Sequence, residues 1–485
     1  MNLQTIFESF NCRLMKVVVV ICLLSTPIVI SAQSDTIRYD ILLSGLTYTG
    51  EYAPFWMHNR NYGKVSSAPH SASLMLGVSK DFNHRNKWFD YGFKASGLFR
   101  ADNDTAQIYL HELYAKARVL VFDMAAGWRE EHLGTQDETL SGGGLLFSQN
   151  ARPMPKITVG IEHFTPVPFT AGYLEIKGAL SHGWFTDDIG MQNALLHHKY
   201  VYAKIGGKLP VHLQYGLEHV AQWGGKSLNP AVSDQPSGFK DYVSIFLGRS
   251  GDNDATLSDQ INALGNHIIS QSVRADADVS GFRIGAYWQI VLEDSPIRLI
   301  GKTMNTPDGL WGLSVRNEHF PVIQGVLYEY LNTTDQSGPF HDKDGIVYGG
   351  NDGYFLNGSY PSGWSYFSRT IGTPFISSPL YNANGALSTQ NNRVQVHHFG
   401  IEGAIYDYQY RLLASFSKNY GYNTIYLSEA IMKRNTSLLF EVYKQFSKLR
   451  NIELGCKVGA DRGKLFGNSL GIELSVRKRA DLFNY

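Results

Sequence analysis

The chain has 485 residues, with 43 Lys and Arg against 43 Asp and Glu, so its formal net charge is zero. That balance excludes the basic excess of a general nucleic-acid binder and the one-sided charge of a disordered tail. Only 18% of residues are charged, while 13% are aromatic and 48 are Gly, which suits pleated sheets joined by Gly turns.

At the N-terminus, Arg13 and Lys16 precede an apolar run from Val17 to Leu24 that extends through Ile28 to Ile30. Ser31 and Ala32 then supply small residues before Gln33. This order predicts a signal peptide over residues 1–32 and a mature protein over 33–485. Met15-Lys16 would itself open such a signal, so the start stays open between Met1 and Met15. The run is shorter than the ~20 residues of a spanning helix. Cys12 and Cys22 leave with the signal, and Cys456 alone cannot form an internal disulfide.

The mature part is dominated by period-2 alternation, the mark of half-buried strands. In chain order the candidates are Ile37–Thr49, Ser71–Ser79, Phe89–Phe99, Ile108–Leu120, Tyr173–Gly178, Tyr200–Ile205, Val211–His219 and Tyr242–Gly248. The clearest pair follows. Val273, Ala275, Ala277 and Val279 alternate with polar residues, Ser280-Gly281 supplies a turn, and Phe282, Ile284, Ala286, Trp288 and Ile290 resume the pattern. That is an antiparallel hairpin. Trp311–Val315, Val322–Tyr330, Val394–Ala404, Tyr408–Phe416, Leu438–Val442, Ile452–Val458 and Leu470–Val476 complete the series. Only the run Arg477–Asp481 interrupts the alternation of the last strand.

Alternation alone leaves the wet face open. In a soluble sandwich the apolar face points in, and in a membrane barrel it points out to lipid. Three features favour the membrane barrel: the export signal, aromatics near strand ends such as Trp88-Phe89, Trp184-Phe185 and Tyr242, and long polar loops such as Asn253–Asn266 and Asp335–Asn357. Closure also removes the open edges that lipid forbids. Without the signal about 450 residues remain, and at roughly 25 residues per strand with its loop this gives about 16 to 18 strands. The expected fold is all-β: one transmembrane antiparallel β-barrel of about 18 strands with long extracellular loops.

Motifs for chemistry are weak. Gly467-Asn468-Ser469-Leu470-Gly471 matches a nucleophile elbow, but a strand follows where that turn needs a helix. His197-His198 and His397-His398 sit on strands, where neighbours face opposite sides and do not chelate one ion. Ser141-Gly142-Gly143-Gly144 lacks the Lys and helix of a phosphate loop. Glu130, Glu131, Glu218, Asp308 and Glu329 are carboxylates available for glycosidase work, with no string that singles out a pair. No metal site, catalytic residue or cofactor is expected. Aromatic rings beside polar groups suit sugar binding. Two segments carry that mixture, Gly216–Gly225 and Gly350–Tyr366, and nominate Glu218, His219, Gln222, Trp223, Asp352 and Trp364 as contributors to a glycan or lumen site.

An ordered set of strings resembles the Wzi-type capsule-assembly proteins of Gram-negative outer membranes. They are Ala53–His58, Leu140–Gly143, Asn150–Lys156, His182–Phe185, Leu195–Lys199, Glu218-His219 through Gly225, and Gly265–His267. Asp308–Gly312, Tyr328–Tyr330 with Gln336–Gly338, Ser362–Trp364 and His397–Gly400 follow. Each string alone is weak, but together they run from about residue 50 to 403 in one order. The resemblance implies an 18-stranded outer-membrane barrel and a lectin-like, non-enzymatic role in holding capsular or other surface polysaccharide. It brings no catalytic residues. Better-known members add a periplasmic helical bundle, for which no strong amphipathic helix stands out here. The expected partners are polysaccharide and outer-membrane lipid, with no nucleic acid, and the expected state is a monomer. A diffusion porin or sugar channel and a polysaccharide hydrolase are the competing functions.

Overall fold

Alternating residues leave each strand one apolar and one polar face, and closing the sheet decides which face meets lipid. The computed structural model describes residues 36–482, apart from 83–87, 231, 253–254, 256–259, 261–262, 294–307, 318, 337–341, 344–345, 348–351, 423–426 and 448–450. The predicted signal peptide and parts of the two long polar loops lie outside the described residues.

Eighteen antiparallel strands form one closed sheet. They are β1 Arg38–Tyr48, β2 Ser71–Lys80, β3 Phe89–Ala101, β4 Ala106–Val119, β5 Phe122–Trp128, β6 Pro155–Pro166, β7 Leu174–Trp184, β8 Leu195–Ile205 and β9 Val211–Trp223. The second half comprises β10 Asn266–Val279, β11 Phe282–Glu293, β12 Gly309–Asn317, β13 Gly325–Asn332, β14 Val394–Ile405, β15 Tyr408–Asn419, β16 Lys433–Phe446, β17 Ile452–Gly463 and β18 Ser469–Asp481. Each strand pairs with its neighbours in sequence, and β18 closes on β1 from Arg38 opposite Asp481 to Tyr48 opposite Gly471. The expected β10–β11 hairpin turns at Ser280 (φ 49°) and Gly281 (φ 82°), the doubly left-handed geometry that matches strand twist.

The apolar face points outward. Leu454 and Val458 on β17, and Leu470, Ile472, Leu474 and Val476 on β18, are all exposed, as are Leu412, Phe416, Leu438 and Phe440. So large an exposed apolar belt belongs in lipid. Charges occupy the inward face as cross-strand pairs. Arg411 lies opposite Glu441, Glu441 opposite Lys457, and Lys457 opposite Glu473. Lys457 Nζ is 3.0 Å from Glu473 and 3.7 Å from Glu441. Arg477 and Arg479 of the charged run at the end of β18 belong to this lumen chemistry: Arg477 Nε donates to Asp40 Oδ1 at 2.8 Å and Arg479 Nε to Asp40 Oδ2 at 3.2 Å.

Connections differ at the two ends. One end has short links at 81–88, 120–121, 167–173, 206–210, 280–281, 318–324, 406–407 and 447–451, while the other carries 49–70, 129–154, 224–265 and 333–393. Outer-membrane barrels turn tightly in the periplasm and extend longer loops outside, so the long-loop end faces the cell exterior.

One expectation is corrected. Tyr242–Gly248 is not a strand: it lies in helix α2 (Phe239–Leu247), with the short helix α1 at Phe55–His58. β9 pairs directly with β10, so a strand at Tyr242 would have no ladder to join. Asp241 accepts from the Gly238 N–H at 2.7 Å, and Gly248 ends the helix at φ 65°. β5 and β6 went unpredicted. Among the described residues the two helices lie in long loops at the exterior end, and the periplasmic end carries no helical bundle.

Candidate functional site

A loop that enters a lumen carries backbone N–H groups with no ladder to satisfy them. Here the wall supplies acceptors from its inward face. Glu329 on β13 accepts from Ser141 Oγ and the Gly142 N–H, each at 2.6 Å, and from Tyr287 OH on β11 at 2.5 Å. Gln289 takes the Leu145 N–H at 3.1 Å, Glu293 takes the Phe355 N–H at 2.6 Å, and Asp461 takes the Phe55 N–H at 2.8 Å. Three loops, 49–70, 129–154 and the described part of 333–393, are thereby fastened inside the barrel as a plug.

The plug has its own apolar core. Phe55, Trp56, Met57, Leu145, Leu146, Phe355, Trp364, Tyr366 and Phe375 pack against wall residues Leu196, Val220, Ile268 and Leu327. Phe55 stacks on Phe375 with ring centres 5.1 Å apart, and Trp56 Nε1 donates to Ser415 Oγ at 3.1 Å. Met57 meets the wall where β17 and β18 carry Gly459 and Gly471, since a Cβ at either would come within 2.8 Å of its Sδ. A cavity of about 60 Å³ between Tyr62, Glu131, Gln149 and Lys156 has room for a few waters.

The six nominated residues occupy three different places. Glu218 and Gln222 face inward from β9. Glu218 bonds His198 Nε2 at 2.9 Å and Tyr202 OH at 3.3 Å, and Gln222 accepts from Asn266 Nδ2 at 2.6 Å. His219 and Trp223, of opposite parity, face the outer wall, where α2 covers them. His219 Nε2 lies 2.7 Å from His267 Nδ1, and Trp223 packs on Tyr242 at 5.5 Å. Trp364 lies in the plug core with Nε1 bonded to Leu146 O at 2.9 Å. Asp352 is half-buried, its N–H bonded to Gln336 O at 2.8 Å. Phe185 joins the plug core, and Trp88 and Phe89 are exposed at the periplasmic rim.

The histidine pairs split across the wall as strand geometry requires: His198 and His398 face in, His197 and His397 face out. Among the described residues no group of His, Cys, Asp or Glu has metal-binding geometry. Ser469 Oγ donates to Thr49 O at the start of β18, a strand-end contact. The remaining carboxylates are engaged. Glu130 pairs with Lys64 at 2.8 Å and Glu131 with Arg129 at 2.8 Å, and Asp308 accepts from Asn332, Asp335 and Gln336. Burial pushes the Asp308 carboxyl up to about 6.

One constellation escaped sequence reasoning. At the exterior mouth Arg152 lies over Tyr109 at 3.9 Å and over Phe367 at 4.4 Å, and Arg100 lies 5.6 Å from the same Tyr109 ring. Arg369 reaches His58 O at 3.1 Å and Val65 O at 3.2 Å. Burial pushes the Arg369 guanidinium down to about 10, and Arg152 shifts the same way for the same cause. These residues come from four distant segments, so no local pattern joins them.

A family model described as capsule assembly protein Wzi matches residues 37–377. No curated protein matches the chain. Among solved structures, the chain is similar to Wzi of Escherichia coli, described as an outer-membrane protein involved in group 1 capsule assembly and a carbohydrate-binding β-barrel. The identity is 12%, over 90% of this chain and 83% of that one, with a TM-score of 0.58. Pseudomonas aeruginosa OpdL matches at 9% identity over 92% and 99% of the two chains, with a TM-score of 0.47.

Proposed function

We propose, from the premise that the chain belongs to the Wzi capsule-assembly family, that this outer-membrane barrel is a non-enzymatic, lectin-like anchor for capsular polysaccharide. The observation that carries the proposal beyond the family is the plug. Three loops fastened to the wall fill the lumen and present a fixed surface at the exterior end, an arrangement suited to holding a polymer rather than passing solutes. The engagement of Glu130, Glu131, Glu218, Asp308 and Glu329 by cations or donors argues in the same direction against a glycosidase pair, which needs one open acid and one open base flanking the bond.

Attachment would be multivalent. Many weak ring and hydrogen-bond contacts along a repeating polymer add through effective concentration. Glu218, Gln222 and Asp352 enter this proposal as polar groups of the lumen and loops. His219, Trp223 and Trp364 enter it through packing, by fixing α2 and the plug beneath the binding surface. In a deletion strain, capsule should appear in the medium while total polymer stays constant. Normal surface retention in that strain would refute the role.

A further inference from the structure

The exterior mouth gathers three guanidinium groups, Arg100, Arg152 and Arg369, that form no ion pair among the described residues. Gly63, at φ 67°, lets three arginines converge: a Cβ there would meet Arg152 Cγ at 2.7 Å and the Arg369 stem at 3.6 Å, and its carbonyl accepts from Arg100 at 3.5 Å and from Tyr109 OH at 3.2 Å. Arg100 otherwise bonds the neutral Gln107 at 2.6 Å, and among the described residues the Arg369 side chain bonds His58 and Val65 alone. Arg152 has no hydrogen-bond or ion-pair partner among the described residues. Two carboxylates lie near, and neither forms an ion pair with the three arginines. Asp102 caps its own turn through the Thr105 and Asp104 N–H groups, and Asp187 accepts the Phe367 N–H at 2.8 Å.

A guanidinium held over two rings, with no protein partner on its N–H groups, leaves those donors for a carboxylate, which guanidinium binds bidentately. Arg152 is partly exposed, Phe367 is exposed beside it, and Tyr109 faces the lumen side of β4. The cluster therefore lies inside the loop mouth, away from the lipid-facing wall. An anion there would relieve the mutual repulsion of Arg100, Arg152 and Arg369 in a poorly hydrated setting, where charge pairs gain strength.

We propose that Arg152, supported by Arg100 and Arg369, is the recognition point for a carboxylate-bearing sugar of the polymer, with Phe367 as the adjoining stacking surface. This rests on the capsule-anchoring proposal and names the chemistry of its ligand.

The test uses the full-length protein in detergent and measures affinity by calorimetry for a short oligogalacturonate and for its methyl-esterified form. The acid form should bind and the ester should not. Arg152→Gln should weaken binding about ten- to hundredfold, the loss of one bidentate charged contact, with Arg152→Lys intermediate. Phe367→Ala, at an exposed position, should also weaken binding. Heat-modifiable gel mobility verifies that each variant is a folded barrel. Equal binding of acid and ester, no binding by the parent protein, or unchanged affinity in folded Arg152→Gln overturns the proposal. A parallel arm uses the host capsule before and after carboxyl reduction. Loss of binding on reduction supports the site, and equal binding overturns it while leaving the anchoring role intact. Binding of oligogalacturonate without binding of native capsule supports the site and refutes the anchoring role.

Discussion

Glu329→Ala is the sharpest test of how the plug is held. Glu329 is fully buried and its carboxylate gathers three donors, Ser141 Oγ, the Gly142 N–H and Tyr287 OH. Each buried donor left unmet costs about 1–3 kcal/mol. The two hydroxyls can rotate towards water admitted by the truncation, but the Gly142 N–H is fixed by the backbone. A net loss of about 1–3 kcal/mol, that of the one donor left unmet, is therefore expected, on the local equilibrium that seats loop 129–154 rather than on the barrel. A tenfold change in population corresponds to about 1.4 kcal/mol, so the unseated state should rise by roughly one to two orders of magnitude. In planar bilayers the parent protein should be silent or nearly so, and Glu329→Ala should show frequent openings. Protease should cut within 129–154 in the variant first, with gel mobility unchanged. Glu329→Gln retains an acceptor oxygen and should fall between the two. If Glu329→Ala is as closed and protease-resistant as the parent, the wall acceptors are not what seats the plug.

Acid should loosen the same loop through Glu131. Burial would raise this carboxyl, but Lys156 and Arg129 outweigh it and hold the group down to about 2 against an ordinary 4.5. A depressed carboxyl contributes stability that is complete above the ordinary value and is lost as pH falls through the shifted one. Protease sensitivity of 129–154 should therefore rise below about pH 4.5, and Glu131→Gln should be loose already at neutral pH with a flatter profile. Two tryptophan truncations should separate the inside from the outside. Either costs about 3–5 kcal/mol locally, but Trp364→Ala should raise conductance, whereas Trp223→Ala should expose α2 to protease and leave the pore closed. Conductance from Trp223→Ala, or none from Trp364→Ala, would place these rings wrongly.

Strand identity was legible because lipid outside and charge inside impose the same period on every spanning segment. It failed where that period is weak. β5 has only seven residues, and Ala125, Ala126 and Gly127 blur its alternation because small side chains mark neither face, while β6 opens at Pro155, ends at Pro166 and slips register between Ile161 and Thr165. Tyr242–Gly248 misled because its apolar residues suit either period and its helix is set by Asp241 and Gly248 at the ends. Strands also ran longer than their apolar stretches, since polar rim residues such as His197 and Asn266 still pair. The glycan candidates were chosen by residue type within a segment, so neighbours on one strand, Glu218 and His219, ended on opposite sides of the wall. The arginine cluster had no local signature, because Arg100, Arg152 and Arg369 meet only through the folding of the plug.

α1 follows directly on β1, the first strand of the barrel, yet its contacts lie on the last ones: the Phe55 N–H on Asp461 of β17, and Met57 against Gly459 and Gly471 of β17 and β18. The segment thus bridges the seam where the sheet closes. The groove for Met57 is made by β17 and β18 together, so the seat of the first loop exists only where the last two strands are paired. Gly459 and Gly471 lie opposite each other on β17 and β18, so a side chain at either would press on Met57 and on the loop that helps fill the lumen.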